Sequence, residues 1–114
     1  MKTISDPDTA ACLKNFPCNS DDFDWDSGNL TKNLKHGIEP DDVESILSIK
    51  NYFFIGRITE PRHNEARWLI LGRTTDDRRF ALIFTRRKDK LRPISCRPMR
   101  QDERREYEAH SKQA

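Results

Sequence analysis

Glycine occurs only 4 times and cysteine only 3 times in 114 residues, and no arginine precedes Arg57. With so little glycine, no Gly-rich loop follows a strand to cradle a nucleotide phosphate. Cys12, Cys18 and Cys96 are too few and too irregular for a disulfide framework, and no two of them have zinc-site spacing. The longest apolar stretches, Leu69-Ile70-Leu71 and Phe80-Ala81-Leu82-Ile83-Phe84, fall far short of the roughly 20 residues that cross a bilayer. No apolar run follows Met1-Lys2, so a secretory leader is not expected and a reducing cytoplasm fits the cysteine usage. The length implies one small domain with a core between two packed layers, which excludes large catalytic scaffolds.

Charge is abundant, and its distribution is uneven. The formal net charge is only +2, but residues 1–54 carry 5 Lys and 10 acidic side chains, a balance of −5. Residues 55–114 carry 16 basic and 9 acidic side chains, a balance of +7. An enrichment in arginine, whose planar fork suits bidentate contacts, points to an anionic partner such as nucleic acid or an acidic protein segment.

Periodicity divides the chain into an extension, residues 1–22, with a candidate short helix around Ala10-Ala11-Cys12-Leu13, and a domain over 23–112. Phe23-Asp24-Trp25 alternates as a short strand would and is expected to anchor a sheet edge. Leu30 and Leu34 predict a helix over 26–36, ended by Gly37. Pro40, Asp41 and Asp42 ahead of Val43, Ile46 and Leu47 predict a second over roughly 40–48. Residues 49–58 suggest a short extended piece, and strands are predicted over 67–71, 79–85 and 91–97. The strand at 79–85 is apolar on both faces and belongs at the centre of the sheet, whereas Pro93 calls for an edge. A charged helix over 100–110, with only Met99 and Tyr107 to bury, closes the chain. The fold class is therefore α+β, with two N-terminal helices, an antiparallel sheet of three to four strands and a C-terminal helix.

No motif supports cofactor or metal chemistry, which leaves acids, bases and fixed cations. Lys35 and His36 sit where a helix C-terminus favours a cation. Arg86 and Arg97 close two strands and are placed to clamp a phosphate, while His63 and Glu65 lie in a polar loop able to supply a base. Arg67, Arg92 and Arg100 are further phosphate-binding candidates. Each has a plainer alternative, in helix capping or in an ordinary surface ion pair. Cys96 and Trp25 read as packing residues. Groups of this kind suffice for metal-free RNA cleavage, which needs a base for the 2′-hydroxyl, an acid for the leaving oxygen and cations around the phosphorane.

Five segments occur in a distinctive order: Phe23-Asp24-Trp25-Asp26, Asn33-Leu34-Lys35-His36-Gly37-Ile38, Arg67-Trp68-Leu69-Ile70-Leu71-Gly72-Arg73, Ile94-Ser95-Cys96-Arg97 and Glu103-Arg104-Arg105-Glu106-Tyr107. Together, across about residues 23 to 110, they resemble the BrnT toxin family. The resemblance implies a RelE-like fold and a metal-independent ribonuclease that inhibits translation and is neutralised by a BrnA-like antitoxin. By position it implies catalytic roles for Lys35, His36, Arg97 and, near the end of the preceding strand, Arg86, with Glu65 in reserve as a base. It further implies a heterotetramer of two toxins and two antitoxins, with operator DNA contacted through the antitoxin. The chain departs from the family's usual D-P-x-K in having Asp26-Ser27-Gly28-Asn29, and it interrupts an aliphatic strand with Pro93. A catalytically degenerate RNA-binding or protein-interaction module of the same fold is the alternative.

Overall fold

The computed structural model describes residues 7–13, 22–26, 28, 37–48, 52–58, 65–87 and 90–113. Among the described residues, helices α1 (Pro7–Leu13) and α2 (Pro40–Ser48) precede four strands, and α3 (Gln101–Gln113) follows them. The strands β1 (Phe53–Ile58), β2 (Arg67–Arg73), β3 (Arg79–Arg87) and β4 (Lys90–Pro98) form one antiparallel sheet in sequence order. The α+β class and the terminal helix are as the sequence predicts, and the extended piece before residue 58 completes a four-stranded sheet. Of the two predicted N-terminal helices, the one at 40–48 is α2, whereas that at 26–36 falls largely outside the described residues. No described helix is long and apolar enough to cross a membrane.

Alternation along the strands builds a core on each face. Trp68 and Ile70 of β2 and Phe80, Leu82 and Phe84 of β3 point to one face, where Val43, Ile46 and Leu47 of α2 cover them. Each of these large apolar side chains stabilises the fold by about 1.5–3 kcal/mol when fully withdrawn from water. Helix α2 starts where Pro40 pre-sets φ and the Asp42 carboxylate accepts from the Glu39 amide at 3.0 Å. Trp25, half-buried, stacks on Phe23 and donates its indole Nε1 to Glu44 Oε2 at 2.9 Å, which ties the F-x-W segment to α2. Phe23 itself forms an isolated parallel bridge to Leu91, and the Asp24 amide donates to the Leu91 carbonyl at 2.8 Å. A segment expected to be a strand is thus a single bridge on the free edge of β4. Pro93 lies on this edge strand beside a register shift between Ile83 and Phe84, where a missing amide donor is tolerated.

On the opposite face α3 covers part of the sheet. Leu69, Leu71 and Ala81 pack against Met99 and Tyr107, and the thin apolar stripe of α3 is supplemented by polar aromatic contacts. Arg79 lies over the Tyr107 ring and pairs with Glu108, while His110 stacks on Phe53 at 4.3 Å. These contacts hold α3 over the Phe53, Leu71 and Arg79 end of the sheet, and α3 does not reach the Arg67 and Arg87 end of the same face. Sheet and helix approach most closely on the other side, where a Cβ on Gly72 would fall on the Ile46 side chain and 3.3 Å from Tyr52 Cβ.

Candidate nucleic-acid interface

Strand pairing sorts the arginines by face. Trp68 and Phe84 belong to the α2 face, so Arg67, Thr85 and Arg87 belong to the α3 face, and Arg92 joins them through its pairing with Thr85. At the end that α3 does not reach, Arg67, Arg87 and Arg92 line a cleft of about 240 Å³, with Glu65 among them and Pro93 and Ile94 beside them. Gly28, near the start of the stretch that carries Lys35 and His36, also lines it. Three guanidiniums therefore meet in one cleft, and Glu65, Arg67 and Arg92 of the sequence-derived set are brought together.

Each cation is held differently. Arg87 sets its fork on Glu65, with Nη2 to Oε1 at 2.7 Å and Nε to Oε2 at 3.2 Å. Arg92 is 15% exposed and donates to Asp26 at 2.7 Å with Asp24 at 3.6 Å, which gives the aspartate of the W-D segment a role at the site. Arg67 Nε is buried and has no hydrogen-bond partner among the described residues. The hydrogen bonds from Arg87 hold the Glu65 carboxyl below its ordinary range, and the charges of Arg87, Arg67 and Arg92 act in the same direction. Glu65 is thus an ionised counter-charge and a weak base.

The other candidates lie elsewhere. Arg86 is on the α2 face, where its Nη1 donates to the Cys12 carbonyl of α1 at 2.6 Å. Trp68 beside it donates to Thr9 Oγ1 at 3.0 Å, so α1 is fastened to the sheet at two points. Arg97 shares the face of the cleft but not its lining, and it is bound bidentately by Glu103 at 2.7 and 2.9 Å. Glu103 also accepts the backbone amide of Arg100 at 2.8 Å, capping the start of α3. Lys35, His36 and His63 lie outside the described residues. Gly37, which follows His36, has φ +68°, the conformation that ends a helix with glycine. Its carbonyl accepts from Arg78 at 3.5 Å, and Arg78 in turn bridges Asp42 and Asp76 at 2.8 and 2.9 Å. Burial pushes the Cys12 and Cys96 thiols up to about 12, so both are packing groups and not nucleophiles.

The Arg97 to Glu103 bridge predicts a pH dependence. Hydrogen bonding from Arg97 lowers the Glu103 pKa from its usual 4.5, with the Arg100 amide adding to the effect against the opposing influence of burial. A carboxyl whose folded pKa lies below its unfolded one contributes stability above the unfolded value, and that contribution fades as pH falls through the folded value. The gap in melting temperature between the wild type and Glu103→Gln is expected to be largest near neutral pH and to close in acid. A gap of equal size at pH 7 and in acid would contradict the bridge.

Residues missed by sequence reasoning are Arg87 and Arg78. Arg86 and Arg87 are adjacent and project to opposite faces, and the sequence does not say which face α1 covers. Strand parity with Thr85 is the one signal that favours Arg87. Residues 25–103 match a family described as the ribonuclease toxin BrnT of type II toxin-antitoxin systems. No curated protein and no solved structure matches the chain. The matched region spans α2, the whole sheet and the arginine cleft, and the chain belongs to the BrnT family of ribonuclease toxins of type II toxin-antitoxin systems.

Proposed function

We propose that the chain is a metal-independent endoribonuclease that binds the RNA backbone in the cleft of Arg67, Arg87 and Arg92. The observation that carries this reading is the meeting of three guanidiniums in one cleft on the sheet face beyond α3, within the family-matched region. Arginine forks fit phosphate oxygens bidentately, and rigid strands hold them without reorganisation during the reaction. A base removes the 2′-hydroxyl proton, the 2′-oxygen attacks phosphorus, and an acid protonates the departing 5′-oxygen, leaving a 2′,3′-cyclic phosphate and a 5′-hydroxyl. Lys35 and His36 share these proton transfers, with Glu65 in reserve as a base. Arg97 and Arg100 extend the basic surface along the start of α3, and Arg86 supports the site from the far side of β3.

In a cell, cleavage by this toxin inhibits translation in the cytoplasm. A BrnA-like antitoxin neutralises it in a heterotetramer of two toxins and two antitoxins, and contacts operator DNA on behalf of the complex. An acidic antitoxin segment complements the arginine cleft and excludes RNA from it. Expressing the chain alone in a bacterium is expected to arrest growth, and co-expression of its antitoxin is expected to restore it. Lys35→Ala and His36→Ala are each expected to abolish arrest and RNA cleavage. Full toxicity in both variants would overturn the assignment, and no arrest by the wild type would favour a module that binds RNA without cutting it.

A further inference from the structure

The cleft already holds an anion of its own. Glu65 engages Arg87 through two parallel hydrogen bonds, the geometry a guanidinium fork adopts with two phosphate oxygens. The pair is the outer one of the cleft, with side chains 48% and 35% exposed, whereas Arg92 is withdrawn behind Asp26 and Asp24. Exposed ion pairs contribute little to stability, so this one opens readily. Arg67, the third cation, acts by its charge on the Glu65 carboxylate, and its buried Nε has no hydrogen-bond partner among the described residues.

We propose that Glu65 is a built-in competitor for the substrate: its carboxylate occupies the Arg87 fork in the free protein and is displaced when a phosphodiester of the RNA binds there. This rests on the reading of the cleft as the RNA site. The consequence is selectivity for a polymer. Inorganic phosphate or a nucleotide must displace Glu65 through a single contact. A strand reaching Arg67, Arg87 and Arg92 through several phosphates does so with the help of its other contacts.

The test uses a labelled 2′-O-methyl oligoribonucleotide, which has no free 2′-hydroxyl to attack, and fluorescence anisotropy across a salt series. Glu65→Gln and Glu65→Ala, each checked for an unchanged melting profile, are expected to bind about 3- to 10-fold more tightly than the wild type. Because Arg87 reaches the same phosphate once Glu65 is displaced, the slope of log K against log salt is expected to match the wild type while the affinity shifts. Equal or weaker binding by both variants overturns the proposal. An Arg67→Met/Arg87→Met double variant separates the two readings. If it binds the probe as well as the wild type, the cleft is not the RNA site and both fall. If it loses binding while the Glu65 variants match the wild type, only the competitor role falls.

Discussion

Replacing Arg67 and Arg87 together by methionine is expected to slow RNA cleavage by about two to three orders of magnitude. Methionine keeps much of the apolar stem, so packing against the sheet is largely retained while the positive charge is removed. The stability cost is expected to stay near 1 kcal/mol, because the ion pair lost among the described residues, that with Glu65, is an exposed one. The expected effect is therefore on turnover and not on folding, and the pairing of a normal melting curve with a loss of product is the signature to measure. Single-turnover cleavage of a labelled RNA, followed beside the thermal melt, gives both quantities. A rate within about threefold of the wild type would mean that phosphate charge is neutralised elsewhere. Loss of rate together with collapse of the melt would mean that the cleft arginines hold the sheet together.

The second large effect is on folding. Gly72→Ala is expected to destabilise the protein by about 1–3 kcal/mol, the usual cost of forcing a methyl group into a filled core. The new Cβ meets Ile46 of α2 and lies 3.3 Å from Tyr52 Cβ, and neither neighbour is at the free end of a long flexible chain. Ile46 is fully buried, so it has no open space into which to turn. A double-mutant cycle sharpens the expectation. Ile46→Ala is costly alone, but it removes the obstructing group, so the two substitutions together should cost about 0.5–3 kcal/mol less than their sum. Strict additivity in urea denaturation would show that α2 and β2 do not meet where Gly72 and Ile46 place them.

The sheet was legible because each strand carries its own signal. β2, β3 and β4 fall where alternation and β-branched residues predict them, and β3, apolar on both faces, lies between two neighbours. α2 has the predicted bounds because Pro40, two aspartates and the Val43, Ile46 and Leu47 stripe all agree. The arginine site was legible only in part. Glu65, Arg67 and Arg92 were singled out from residue type and position, yet their meeting depends on cross-strand register, which short sequence windows do not encode. Arg97 has a bidentate partner six residues away, because a carboxylate in the first turn of α3 faces back along β4. The attachment of α1 is less local still, since Trp68 and Thr9 are separated by 59 residues and neither carries a pattern that names the other.

That attachment separates two boundaries that are often treated as one. The match to the BrnT family begins at residue 25, after α1, and ends at residue 103, before Tyr107. Yet Tyr107 is 2% exposed and Cys12 1%, each lodged in one of the two apolar clusters. A fragment cut at the limits of that match would bare an indole N–H on one side of the sheet and an apolar floor on the other. The length that matches the toxin family and the length that closes both apolar clusters are different stretches of the same chain.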